Sequence, residues 1–395
     1  MSKKSPQLRF EGFTDDWEER RLSEVLRERN NQQPQSMEYP LVSFTVENGV
    51  TPKTDRYERE QLVVGDKSSK KYKVTVLNDI VYNPANLKFG AISRNKYGNA
   101  VFSPIYVTFL VNNDVTMPEF IEMLITRKDF IKRALKYQQG TVYERQSVSP
   151  ENLLSMNLYL PGKLEQEKIG TFFKHLDDTI SLQQCKLDLL KEQKKGYLQK
   201  MFPKNGEKVP ELRFAGFADD WEQRKLGDEV RIVMGQSPNS ENYTDDPNDY
   251  ILVQGNADMK NGRVFPRVWT TQITKQAKKD DLILSVRAPV GDIGKTAYDV
   301  VIGRGVAAIK GNEFIFQNLG KMKSDGYWTR YSTGSTFESI NSTDIKEAII
   351  SIPAIEEQNK IGSFFKQLDN TIALHQLKLD LLKEQKKGFL QKMFA

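Results

Sequence analysis

Two segments of this chain are each written twice. PQLRFEGFTDDWEERRL, from Pro6 to Leu22, returns as PELRFAGFADDWEQRKL from Pro210 to Leu226, identical at 12 of 17 positions. EQEKIGTFFKHLDDTISLQQCKLDLLKEQKKGYLQKMF, from Glu165 to Phe202, returns as EQNKIGSFFKQLDNTIALHQLKLDLLKEQKKGFLQKMF from Glu357 to Phe394, identical at 30 of 38. The intervening stretches, roughly 130 to 140 residues each, barely resemble one another. A duplicated frame with dissimilar contents predicts one scaffold presenting two different readers.

The second repeat follows an alternating spacing of 4 and 3. Ile169, Phe173, Leu176, Ile180, Gln183, Leu187, Leu190, Lys194, Tyr197 and Met201 fall on one stripe. Ile361, Phe365, Leu368, Ile372, His375, Leu379, Leu382, Lys386, Phe389 and Met393 repeat it. An apolar period of 3.5 residues held this long calls for a helical partner, and the nearest partner for one copy is the other. One chain that must bring both helices together with a globule between them makes the pair antiparallel. Gln183 and His375 interrupt the seam where polar residues fix register. A helix from Ile169 to Met201 spans about 50 Å at 1.5 Å per residue, a rod long enough to hold two readers over separated stretches of one duplex.

With 28% charged residues, 38% hydrophobic residues and no apolar run near 18 residues, the composition is that of a globular protein without a membrane span. MSKKSPQLRF lacks a signal-peptide core, so the expected location is the cytoplasm. A net charge of +6 suits a polyanion partner. Cys185 is the single cysteine, which excludes an intrachain disulfide; Leu377 stands at its place in the other copy, so Cys185 is expected to be a small packed apolar residue.

Each dissimilar stretch ends on the same grammar, SVSPENLLSMNLYLP (147–161) and SINSTDIKEAIISIP (339–353): a capping Ser/Asn cluster, a short helix, and an alternating strand closed by proline. Upstream, DIVYN (79–83), SPIYVTFLV (103–111), YILVQ (250–254) and DLILSVR (281–287) read as strands broken by Gly, Asn and Pro. The predicted fold is mixed α/β: two α/β target-recognition domains separated by two long helices in an antiparallel coiled coil, an internal repeat with pseudo-two-fold symmetry. The expected boundaries are 1–164, first recognition domain; 165–204, central helix; 205–356, second recognition domain; 357–395, C-terminal helix.

The paired EQEKIGTFFKHLDDTI and EQNKIGSFFKQLDNTI, their KLDLLKEQKKG tails, the MGQSP opening at 234–238 and the SVRAPVGDIGKT hairpin at 285–296, in this order and duplicated, resemble the specificity subunits of bacterial Type I restriction-modification systems. The likeness runs over essentially the whole chain. It implies a non-catalytic subunit that reads a bipartite site in double-stranded DNA. It implies two modification subunits as partners, recruited by the helices and carrying S-adenosylmethionine, and two restriction (motor-nuclease) subunits using ATP and Mg; it implies no cofactor in this chain. The first globule departs from the pattern, with no GxSP opening and NPANLKFGAISRNKYG (83–98) in place of the hairpin, so it is expected to belong to a different recognition subtype and no residue is transferred between the globules.

Two other readings compete: a self-contained DNA-modifying or DNA-cleaving enzyme, and a structural coiled-coil adaptor. VGDIGKT (290–296) resembles the end of a phosphate-binding loop, but Pro289 stands where the first glycine belongs. Gly303, Gly305 and Ala308 fit G-x-G-x-x-A with no helix signal following, so a β-turn is expected. NPAN (83–86) lacks the second proline and stacking aromatic of an amino-methyltransferase motif. Two histidines, His175 and His375, both on the repeated helices, supply neither a Ser-His-Asp arrangement nor a His metal cluster. An adaptor leaves two unlike globules unexplained. The DNA-contact candidates are basic, amide and hydroxyl residues at strand ends and turns: Arg94, Lys96, Tyr143, Arg145 and Gln146 in the first globule, and Gln236, Ser237, Arg287, Lys295, Arg304, Ser335 and Thr336 in the second. The KEQKKG tails (191–196, 383–388) are further candidates for phosphate.

Overall fold

The 4/3 stripes form two unbroken helices of 38 residues, Lys163–Lys200 and Ile355–Lys392. The computed structural model describes residues 5–52, 70–140, 146–204, 206–331 and 339–394. Contacts divide the chain into one unit of 1–181 with 381–395 and a second of 182–380. Each unit therefore contains a stretch of both long helices, and the unit boundaries fall within the helices.

Within the first unit, Phe172 meets Phe389 with ring centroids 5.1 Å apart, and Lys386 donates to Asp177 at 2.5 Å. Rising numbers on one helix face falling numbers on the other, so the helices are antiparallel. The second unit shows the same sense: Tyr197 meets Phe364 at 5.1 Å, and Lys194 pairs with Asp369 at 2.6 Å. Both lysines expected on the apolar seam thus have a carboxylate from the facing helix. Gln183 and His375, the two interruptions, face each other at 3.0 Å, so each places its polar atom against the other's. Ile169, Phe173, Leu187, Ile361, Phe365 and Leu379 are buried; Leu176, Ile180, Leu190, Leu368, Ile372 and Leu382 are half-buried. Cys185 corrects its expectation: it is exposed, as is Leu377. Position 185 lies two residues from buried Leu187, and a turn of about 100° per residue carries it off the seam.

The repeats at Pro6–Leu22 and Pro210–Leu226 clamp these helices identically. Arg9 forks onto Glu165 at 2.8 and 2.6 Å and donates to the Asp15 carbonyl; Arg213 forks onto Glu357 at 2.7 Å in both bonds and donates to the Asp219 carbonyl. Both carboxylates are almost completely buried, and their hydrogen bonds push the two guanidinium pKa values above the ordinary arginine value. Beneath each clamp lies an aromatic cluster: Trp17, Phe120, Phe173 and Phe394 in the first unit, and Trp221, Phe314, Phe365 and Phe202 in the second.

The globules, so different in sequence, share a sheet. In the first unit the antiparallel order is Leu26–Glu28, Val107–Val111, Ile80–Tyr82, Ile92–Arg94; in the second it is Arg231–Met234, Val306–Lys310, Leu282–Ser285, Ile293–Lys295, extended by Arg263–Val264 and Met259–Lys260. The turns agree at atomic detail. Asn78 and Asp280 both take positive φ, near 73° and 72°. The following Asp79 and Asp281 each accept from the backbone three residues earlier, at 2.9 and 2.8 Å. A second sheet agrees in part, Tyr72–Thr75 with Ala100–Phe102 against Lys275–Ala277 with Val300–Ile302. NPANLKFGAISRNKYG therefore occupies the place of the second unit's hairpin, as its position in the sequence implies, and the shared sheet lets the globules be aligned residue by residue. Even a helix start is repeated, Glu119-Phe120-Ile121 and Glu313-Phe314-Ile315, each supplying the phenylalanine beneath the tryptophan.

Candidate nucleic-acid interface

In the second unit, several chain segments converge where the strands end. The backbone N–H of Gln236 donates to the Ile302 carbonyl at 2.9 Å, and that of Gly303 to the Val253 carbonyl at 2.8 Å. Val286 donates to the Gly305 carbonyl at 2.9 Å, and Ile340 to the Val286 carbonyl at 3.0 Å. The approach is close enough to require glycine. A Cβ on Gly235 stands 2.1 Å from the Gly303 carbonyl oxygen, and one on Gly305 stands 2.1 Å from that of Gln254. This explains the glycine of GQSP and the second glycine of GRG: the first is a crossing point, and the GRG segment is the turn between Val300–Ile302 and Val306–Lys310, not a dinucleotide loop.

Four of the candidates meet on this rim. Gln236, Arg287 and Arg304 are exposed, and the Ser237 hydroxyl accepts from the Arg304 backbone N–H at 3.1 Å. Gln254 joins them and was missed in the sequence. It ends the Tyr250–Val253 strand, and its amide oxygen lies 3.4 Å from the Tyr243 hydroxyl. Buried Asp258 fixes this loop, accepting from the Gln254 and Gly255 backbone N–H groups at 2.8 and 3.2 Å. An Asp four residues beyond a strand-ending Gln-Gly was the available signal. Amides and guanidinium groups held by rigid backbone are suited to donor and acceptor patterns on base edges.

Lys295 does not join this rim. Its ammonium group pairs with Glu313 at 3.1 Å, half-buried against the helix Glu313–Ser324. Arg94, at the matching place in the first unit, donates to Asn78 at 2.6 Å, Glu119 at 2.8 Å and Glu122 at 3.1 Å. Each cation ties a strand to the helix that carries the repeated Glu-Phe-Ile. Both side chains are turned toward these helices and away from full solvent exposure. Lys96 is exposed and shares Glu122 at 2.9 Å, while Gln146 donates to the Gly140 carbonyl at 3.4 Å. Tyr143, Arg145, Ser335 and Thr336 lie outside the described residues. In the helix tails, Lys194 and Lys386 are engaged with Asp369 and Asp177, whereas Lys191 and Lys195 are exposed. Among the described residues, no helix is long and apolar enough to cross a membrane.

A repeated frame carrying two sheets of one design, with different side chains at the loop ends, defines a modular recognition protein. Residues 218–384 match the family described as the Type I restriction modification DNA specificity domain. Over 397 aligned residues the chain is 26% identical to the putative type I restriction enzyme MjaX specificity subunit of Methanocaldococcus jannaschii, covering 95% of this chain and 92% of that protein. Its fold is similar to the S subunit of a Type-I restriction-modification system from M. genitalium, with a TM-score of 0.65 and 15% identity over 99% of both chains. It is also similar to a chain from a type I R-M system described for its complex assembly and conformational transition, with a TM-score of 0.57 and 23% identity over 96% of this chain and 97% of the other. Residues 218–384 thus match the type I specificity domain, and over nearly its whole length the chain is similar to a type I restriction enzyme specificity subunit.

Proposed function

We propose that this chain is the non-catalytic DNA specificity subunit of a type I restriction-modification complex, each unit reading one half of a bipartite duplex site. The carrying observation is that two sheets of the same strand order stand on a duplicated frame and present different rims, Gln236, Ser237, Gln254, Arg287 and Arg304 being that of the second. A fold duplicated for packing alone has no need to vary there. The helices recruit two modification subunits, which hold S-adenosylmethionine, and two restriction subunits, which use ATP and Mg. The whole complex acts on cytoplasmic DNA. Basic charge on the chain supplies the sequence-independent attraction to phosphate, and the rim residues supply discrimination.

The test is filter binding to duplex DNA with and without modification subunits, together with S-adenosylmethionine turnover by the pure chain. Sequence-selective binding in the complex and no turnover by the isolated chain are expected. Turnover by the chain alone would establish the enzyme reading, and a complex whose DNA selectivity is independent of this chain would establish the adaptor reading.

A further inference from the structure

The first unit's reading rim follows from the shared sheet. In the second unit, Arg231 stands opposite Lys310 and leads after five residues to Gln236. In the first, Arg27 stands opposite Leu110 and leads after five residues to Gln32. The N-terminal repeat continues in this register, without insertion or deletion, beyond Leu22 and Leu226: Asn31-Gln32-Gln33-Pro34-Gln35-Ser36 falls on Gly235-Gln236-Ser237-Pro238-Asn239-Ser240, with Gln, Pro and Ser shared. The opening GxSP is thus present in the first globule in altered form. Asn31 stands in place of glycine, and its carbonyl accepts from the Val74 backbone N–H at 3.0 Å.

The neighbourhood of Gln32 is built as a counterpart of the second rim. Gln32 and Gln33 form a short strand opposite Lys73 and Tyr72, and Gln32 is exposed. The turn carrying Arg304 is closed by Val306 N–H donating to the Gly303 carbonyl at 3.2 Å; its counterpart is closed by Tyr106 N–H donating to the Ser103 carbonyl at 3.2 Å. Lys73 is buried and pairs with Glu28 and Asn30, which fixes the strand from below. Lys70 and Lys71, immediately before the paired strand, are exposed, with the Lys70 ammonium over the Tyr72 ring. An outward amide on a pinned strand, with exposed positive charge next to it, is the arrangement expected of a base contact flanked by phosphate contacts.

We propose that Gln32 is a specificity-determining residue of the first unit, contacting a base edge where Gln236 does so in the second, and that Lys71 meets the adjacent phosphate. This rests on the proposed function. The test uses the full chain assembled with its host's modification subunits, reading the methylated motif of the host genome and DNA affinity in parallel. Gln32→Ala relaxes one position of one half-site, leaves the other half unchanged, and weakens binding by about 5- to 150-fold, the range for one bidentate base contact. Lys71→Ala weakens binding at all sequences alike and leaves the motif intact. Gln32 is exposed, so an unchanged melting temperature in the variant assigns the loss to DNA. A motif unchanged by Gln32→Ala overturns the proposal, as does a change in the half read by the second unit. If Gln236→Ala still relaxes its own half, the proposed function survives that failure; a wild-type complex without a defined motif overturns both.

Discussion

The two units agree where their sequences agree and also where their sequences do not. Around Arg9 and Glu165, and again around Arg213 and Glu357, matching residues make matching bonds. The sheets match in strand order although Ile80–Tyr82 and Leu282–Ser285 have almost no residue in common. The rims share Gln32 and Gln236 but differ beside them, Gln33 and Pro104 occupying the places of Ser237 and Arg304. Side chains in the clamps meet fixed partners on the helix, so their identity is constrained. These strands are buried at every position and need little more than apolar bulk there, so they drift freely. The rims face solvent and are constrained by whatever they bind.

If the clamps are equivalent, damage to them should be equivalent. Trp17→Ala and Trp221→Ala each remove the centre of an aromatic cluster and should each cost about 3–5 kcal/mol, measured by denaturant unfolding. A large inequality between the two breaks the symmetry of the frame. Arg9→Ala and Arg213→Ala strand an almost wholly buried carboxylate, at a cost of about 3–5 kcal/mol each. Replacing Arg213 and Glu357 together by apolar residues of similar volume should recover most of that loss, because the uncompensated charge goes with them. Smaller effects are expected at the rim. Gln236→Ala or Arg304→Ala should leave the melting temperature unchanged, lower DNA affinity by about 1–3 kcal/mol and relax one motif position. The smallest effect on DNA is expected from Arg94→Ala and Lys295→Ala. Their cations are held by Glu119, Glu122 and Glu313, so binding assays should show an intact motif and unfolding assays a modest loss of stability. A relaxed motif in either variant would return them to the reading surface.

The long helices, their antiparallel sense and the strand-and-cap grammar at the ends of both globules were legible in the sequence, because each depends on periodicity or on local capping. The meeting of Gln183 with His375, and of Lys194 with Asp369, required the register between the helices, which a single stripe does not fix. The likeness of the globules was hidden for a different reason. Asn78-Asp79 and Asp280-Asp281 make the same turn, and NPAN replaces SVRAP after it, so motif spacing is lost while the backbone hydrogen bonds persist. Arg94 and Lys295 are engaged by glutamates, since a strand-end cation next to a helix start is as well placed to pair with that helix's glutamate as with phosphate. Gln254 is legible only through Asp258, which fixes its loop, because a neutral amide at a strand end carries no pattern of its own.

The central claim is that one frame holds two independent readers. Residues 225–355, from the end of the second N-terminal repeat to the start of the second long helix, can be exchanged for the matching segment of another family member, keeping both clamps and both seams. Methylation mapping of a host carrying this chimaera, with its modification subunits, should show one half of the bipartite motif replaced and the other unchanged. A motif altered in both halves, or in neither, would contradict the account.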